Sequence, residues 1–309
     1  MVNLKIELPE GFLDEEERCG YLVTHKMKEV WAVELDLLNE FMRVCEKYHI
    51  KFYANGGTVL GCVRHQGFIP WDDDIDVMLS RNDYKKLCSV SNEFQHPYFF
   101  QNEETDPGSF RGHAQLRNSE TTALLKNEKN LQLSFNQGIF IDIFPLDNFP
   151  DNKEEREKFI NKIMKRRKRV YRDIGIIRGI QPQKDFLHIK KTVKGILRKI
   201  YSRSDIVKQE YSGYEAEKEK HRNEKTNYCC NLQCASVEKM DDCILDASFL
   251  YKSPVYMKFE FLDLPIPQNY DDYLKRLYGN YMEFVKGGSM HGEVFFDTNK
   301  CYREYIEKD

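Results

Sequence analysis

Gly56-Gly57-Thr58-Val59-Leu60-Gly61-Cys62-Val63-Arg64-His65-Gln66-Gly67-Phe68-Ile69-Pro70-Trp71-Asp72-Asp73-Asp74-Ile75-Asp76 runs directly into Val77-Met78-Leu79, and the reading of the whole chain turns on it. Asp72, Asp74 and Asp76 are spaced two apart. In an extended strand over 74–79, alternation puts Asp74, Asp76 and Met78 on one face and Ile75, Val77 and Leu79 on the other. Carboxylates gathered this closely repel unless a cation lies between them. Hard oxygen ligands favour Mg²⁺ or Mn²⁺, and Mg²⁺ keeps positions open for phosphate oxygens. A solvated acidic turn is the plainer alternative, but Trp71 and Ile75 interleave with the charges. An EF-hand is excluded, because Val77 takes the place of its glycine and Asp83 that of its bidentate glutamate.

Upstream, Phe52 to Ala54 reads as a short buried strand entering the Gly56-Gly57-Thr58 turn, with a helical run through Val63. A glycine turn opening a helix lets backbone N–H groups approach a phosphate. Arg64 and His65, between this turn and the carboxylates, are candidates for phosphate contact. Arg117 is a further candidate, and His291, on a Gly-Gly-Ser-Met-His-Gly loop, is one for donor or acceptor. Downstream, Gly138 to Phe144 reads as a buried strand with a single carboxylate, Asp142, which should meet a cation or a donor because burying it unpaired is costly. The site expected from the residues is therefore Asp72, Asp74, Asp76 and Asp142 as metal and catalytic groups. Gly56, Gly57, Thr58, Arg64, His65, Arg117 and His291 are expected on the substrate.

Further out, apolar positions from Met27 to Cys45 recur with helical spacing, so 24–48 reads as one amphipathic helix packed on the core. A second helix is expected over 83–94, capped by Ser80 or Asn82. After Pro145 and Pro150 the chain turns basic and helical over 153–203. The tail from Ser253 returns to mixed structure, with a strand ending at Pro265-Ile266-Pro267 and a short helix from Asp271 to Tyr278 stopped by Gly279. The expected class is α+β: a mixed sheet core flanked by helices over 1–150, a basic helical insertion or subdomain over 151–250, and a return to the core over 251–309.

With 309 residues, 41% of them apolar, the chain can bury a substantial core. The net charge of −3 hides an asymmetry, since Lys158 to Arg203 holds 16 Lys or Arg against Asp173 and Asp185. A segment so charged is either a solvated face balancing an acidic core or a contact with anionic lipid. Nucleic acid is not expected, because no aromatic-interleaved recognition motif accompanies the charge. Nine cysteines without paired spacing point to reduced thiols. The spacing of Cys229, Cys230, Cys234 and Cys243 with His221 matches no paired zinc knuckle. No signal-type or membrane-spanning run is visible, so a cytoplasmic location is expected, peripheral to the membrane if the basic segment binds lipid.

The stretch from Gly56 to Asp76 resembles the signature of the LicD family, whose bacterial members are phosphorylcholine transferases and whose relatives include the fukutin-related proteins. Ile141-Asp142-Ile143-Phe144-Pro145-Leu146-Asp147 resembles the family's second acidic element, and the likeness resumes from Phe259-Glu260 to Tyr278-Gly279. The resemblance implies a nucleotidyltransferase-like core in which Asp74, Asp76 and Asp142 hold metal, with Asp72 as a further ligand or base. It also implies a CDP-alcohol donor such as CDP-choline, a glycan acceptor that can be lipid-linked (teichoic acid, capsule or lipopolysaccharide precursor), and release of CMP. A quaternary ammonium would call for an aromatic wall, and Tyr53, Trp71, Phe140 and Tyr278 are near the motifs. Two rivals stand beside this reading: a conventional nucleotidyltransferase that takes an NTP and releases pyrophosphate, and a noncatalytic glycan- or membrane-binding scaffold.

Overall fold

The computed structural model describes residues 1–126, 133–178, 205–233, 243–285 and 293–306. It divides into two compact units, one of 1–146 with 245–309 and one of 147–244. The class is α+β with a mixed sheet, as the sequence leads one to expect.

The first unit begins with a small antiparallel pair, β1 (Glu16–Arg18) and β2 (Tyr21–Val23), followed by helix α1 (His25–Lys47). Thr24 caps α1, its Oγ1 accepting from the Met27 N–H at 3.3 Å. The sequence predicts an amphipathic helix, yet from Val30 to Leu38 every residue is buried, Glu34 and Asp36 among them. On the side of Asp36 the cover is the N-terminal segment, which donates the Lys5 and Ile6 N–H groups to Asp36 Oδ1, each at 2.8 Å. Polar positions that would face water are thereby covered and must find partners. Trp31, fully buried, stacks on Phe68 with centroids 4.5 Å apart.

Next come β3 (Tyr53–Ala54), α2 (Gly56–Arg64), β4 (Asp76–Ser80) and α3 (Arg81–Ser89). The helix expected over 83–94 starts earlier, because Ser80 Oγ accepts from the Asp83 N–H at 3.1 Å and caps it. It stops at Ser89, followed by a single 3₁₀ turn over Ser91–Glu93. The sheet is completed by β5 (Tyr98–Gln101), β6 (Ala114–Asn118) and β8 (Ile139–Phe149), with β7 (Thr122–Leu125) pairing instead with Val294–Asp297. Strand order in this unit is β3-β4-β8-β6-β5, and only β4 and β8 run parallel. On β8, Ile139, Ile141 and Ile143 are fully buried, so the alternate positions turn Asp142 to the opposite face. An antiparallel hairpin, Val255–Phe259 with Leu262–Ile266, and the helix Tyr270–Tyr278 complete the unit, Gly279 at φ 62° ending the helix.

In the second unit the last residues of β8, Asp147 to Phe149, pair antiparallel with β9 (Tyr228–Cys230). Two helices, α4 (Lys153–Ile177) and Asp205–Lys218, pack together, and Lys162 and Arg166 of the first reach Glu217 of the second at 2.7 and 3.5 Å. Part of the basic charge is thus neutralised internally. The basic segment beyond Arg178 lies outside the described residues, as does Cys234. Cys229 and Cys230 are fully buried thiols. Among the described residues no helix is long and apolar enough to cross a membrane.

Candidate functional site

Parallel pairing of β4 and β8 sets Asp76 directly beside Asp142, with the Asp142 N–H donating to the Ile75 carbonyl at 2.9 Å. Two carboxylates from strands far apart in sequence therefore stand side by side on one sheet face. Asp72 and Asp74 lie just ahead of β4 rather than in it, in a segment held from two sides. The Asp72 N–H donates to the Ile69 carbonyl at 2.9 Å, and the Trp31 indole N–H donates to the Asp72 carbonyl at 3.0 Å.

The two strand carboxylates have opposite electrostatic characters. For Asp76, burial and the nearby charges of Asp74, Asp142 and Asp72 push the carboxyl well above the usual carboxylate range. Burial acts in the same sense on Asp142, but His113, the Gln115 amide and Arg111 outweigh it and hold that carboxyl below its ordinary value. His113 Nε2 lies 3.0 Å and Gln115 Nε2 2.6 Å from Asp142 Oδ1. Asp72 is pushed up to about 8 by burial and by Asp74 and Asp73.

Opposite the carboxylates sits the N-terminus of α2. Gly56 has φ 50°, and a Cβ placed on it would come within 3.4 Å of Asp76 Oδ2. One placed on Gly57 would come within 2.8 Å of Asp72 Oδ2, so a side chain at either position would fill the gap between helix and aspartates. The helix dipole adds a fractional positive charge at this end. The Gly56 N–H is given to the Tyr273 hydroxyl at 2.9 Å, which in turn donates to Asn55 Oδ1 at 2.8 Å. Tyr278 reaches the same place, its hydroxyl 3.7 Å from the Gly56 Cβ position. Burial and the charges of Asp76, Asp72 and Asp74 raise that phenol.

Several residues expected on the substrate are placed otherwise. Thr58 is buried, and its Oγ1 accepts from the Asp76 N–H at 2.9 Å, so it pins the start of β4 instead of facing a ligand. Arg117 is 1% exposed. Its guanidinium donates to Gln101 Oε1 at 2.7 Å, to the Gly138 carbonyl at 2.6 Å and to Gln115 Oε1. It therefore orients Gln115, which holds Asp142, and a surface phosphate contact is not what its placement offers. Arg64 donates to the Tyr281 and Glu283 carbonyls at 2.7 and 3.1 Å and to His65 Nε2 at 2.9 Å. His65, lowered to about 4 by burial and by Arg64 and Arg18, is neutral near pH 7 and lies between Trp71 and Phe284. Tyr53 and Phe140 are core residues, Tyr53 donating to the Phe249 carbonyl at 2.9 Å. Trp71 and Tyr278 retain accessible surface. His291 lies outside the described residues. Tyr278, one of the aromatics near the motifs, is at the site, whereas His113, Gln115 and Tyr273 are there without any local sequence mark.

Among the described residues, no three His, Cys, Asp or Glu side chains are gathered closely enough to form a ready-made metal cage. Mg²⁺ needs none: it is commonly held by one or two carboxylates plus substrate phosphate oxygens. The mutually opposed charges of Asp72, Asp74, Asp76 and Asp142 are the donor set such an ion suits.

These shifts carry a pH signature. An acid that holds its proton to about 8 when folded, as Asp72 does, and releases it near 4 when unfolded leaves the folded chain with more protons across that window. Stability then falls as pH rises from about 4 to about 8. Without divalent cations the melting temperature should drop between about pH 5 and pH 8.5, and Mg²⁺ should flatten the slope. A cation-free slope of the opposite sign would contradict the electrostatics described.

Residues 49–174 match the family described as LicD/FKTN/FKRP, nucleotidyltransferase domain. The chain is 26% identical over 265 residues to the lipopolysaccharide cholinephosphotransferase LicD of Haemophilus influenzae, an alignment covering 83% of this chain and 91% of that protein. It is also 37% identical over 59 residues to an uncharacterized protein of Rickettsia prowazekii, 19% of this chain and 22% of that one. A similar match, 38% over 72 residues and 23% of each chain, is to an uncharacterized protein of Rickettsia typhi.

Proposed function

We infer, from the premise that residues 49–174 of this chain belong to the LicD family, that the protein is a divalent-cation-dependent phosphotransferase. It moves a phospho-alcohol, phosphocholine first among them, from a CDP-alcohol to a sugar hydroxyl of a cell-surface glycan precursor and releases CMP. The observation that supports this best is the register of β4 and β8, which puts Asp76 beside Asp142 across from the glycine-opened end of α2. The name of the Haemophilus relative supports choline as the alcohol.

In this reading the diphosphate of the donor lies in the gap that Gly56 and Gly57 keep clear, against the positive end of α2. Asp74, Asp76 and Asp142 are the residues that would hold Mg²⁺ or Mn²⁺. A cation bound there would screen the diphosphate and the charge growing on the leaving CMP. His113 and Gln115 keep Asp142 oriented and ionised. The acceptor hydroxyl attacks the phosphorus that bears the alcohol, the bond to the CMP oxygen breaks, and a carboxylate takes the hydroxyl proton. Asp72, whose affinity for a proton lies near neutral pH, is suited to that last role. Trp71 and Tyr278 are the aromatic surfaces available to a quaternary ammonium.

Lipid-linked acceptors would bring the chain to an anionic membrane, and the charges of 158–203 not spent on Glu217 would serve that contact. Salt-sensitive binding to anionic vesicles would be its mark. The deciding assay is incubation of the full chain with Mg²⁺ and a panel of CDP-alcohols, reading CMP release and the mass added to candidate glycans. CMP release with CDP-choline is expected. Pyrophosphate from an NTP, with no CMP from any CDP-alcohol, would replace this reading with the conventional nucleotidyltransferase, and neither product would favour the scaffold.

A further inference from the structure

Three carboxylates of α1 are buried, and two of them have close hydrogen-bond donors. Asp36 accepts from the Lys5 and Ile6 N–H groups and from the Tyr98 hydroxyl at 2.8 Å. Glu40 accepts from Arg43 Nε and Nη2, each at 2.8 Å. Glu34 is different: it is 1% exposed, and among the described residues its Oε2 has no hydrogen-bond partner. An orphaned, buried carboxylate oxygen is costly, and proteins rarely retain one without a cation, a water or a proton to meet it.

The surroundings of Glu34 say which. It lies one helical turn after Trp31, the residue whose indole N–H reaches the Asp72 carbonyl, so the two share the face of α1 turned to the aspartate run. After burial, the charges acting on it most strongly are those of Asp74, Asp73, Asp72 and Asp142. With burial, these raise its carboxyl well above the ordinary value, the response of an acid facing four others.

We propose that Glu34 is a positioning residue of the cation site, its free carboxylate oxygen accepting from a water on the divalent ion held by the strand aspartates. It would act from α1, whereas Asp76 and Asp142 stand on the sheet. The proposal rests on the aspartates binding a cation, as in the function inferred above. Outer partners of this kind set the affinity and orientation of an ion more than they touch substrate.

The test is Mn²⁺ binding by the full chain, followed by the electron-paramagnetic signal of free Mn²⁺, with melting curves in EDTA and in Mn²⁺. Glu34→Gln should weaken Mn²⁺ binding about tenfold to a hundredfold. It should also raise the melting temperature in EDTA, since the cost of burying an acid among the aspartates is gone. Glu34→Asp, which keeps the charge on a shorter stem, should fall between wild type and Glu34→Gln in Mn²⁺ affinity and decides the matter if the glutamine variant does not fold. Asp36→Asn, on the same helix, should lower the melting temperature and leave Mn²⁺ affinity unchanged. Wild-type affinity in the Glu34 variants would overturn the proposal and leave the aspartate site standing. No Mn²⁺ binding by the wild type would overturn both.

Discussion

Asp76→Asn and Asp142→Asn should each lower kcat/KM for phospho-alcohol transfer by about 10³-fold, close to 4 kcal/mol of transition-state stabilisation, because each removes a charge from the pair that would hold the cation. Their effects on stability should point in opposite directions. The Asp76 charge is opposed by burial and three neighbouring carboxylates, so neutralising it should raise the melting temperature of the cation-free chain. The Asp142 charge is supported by His113, Gln115 and Arg111, so the same change there should lower it. Equal losses of activity with opposite shifts in melting separate a catalytic effect from a folding one. Wild-type turnover in either variant would end the mechanism drawn from these strands.

Arg117→Met should destabilise the first unit by about 3–5 kcal/mol. Gln101 Oε1, Gln115 Oε1 and the Gly138 carbonyl would all lose a donor in a place water does not reach. Arg117→Lys should rescue little, since three acceptors in different directions need the planar guanidinium fork. Urea unfolding measures the cost. Transfer activity assayed below the midpoint should also fall, because Gln115 would be freed to turn from Asp142. A variant as stable as wild type would show that Arg117 does not carry this network.

The sequence marked the strand carboxylates because local chemistry singles them out. Asp142 is alone in an apolar run, and alternate aspartates lead into Val77 and Leu79, so both strands declare a polar face. The mixed α+β class follows from the same periodicities. What could not be read was whatever depends on contacts distant in the chain. His113 and Gln115 support Asp142 only because β6 pairs antiparallel with β8, a register no local pattern states. Arg117 and Thr58 are residue types expected to contact substrate, but burial turns both into supports. Tyr273 joins Gly56 across more than two hundred residues. Glu34 did leave a trace. A helix with Val30, Trp31, Ala32, Val33, Leu35, Leu37 and Leu38 is apolar nearly all round, and a glutamate inside it is as conspicuous as Asp142 in its strand.

The chain has two tryptophans, and both border the aspartate run. Trp31, sealed from solvent, is hydrogen-bonded to the Asp72 carbonyl, and Trp71 is its covalent neighbour, half-buried beside Tyr21 and His65. Indole emission from this protein thus originates wholly at the edge of the proposed reaction centre. Its natural fluorescence is a built-in optical gauge, and an ion or nucleotide arriving there can be followed by eye of the spectrometer with no dye, label or coupled enzyme.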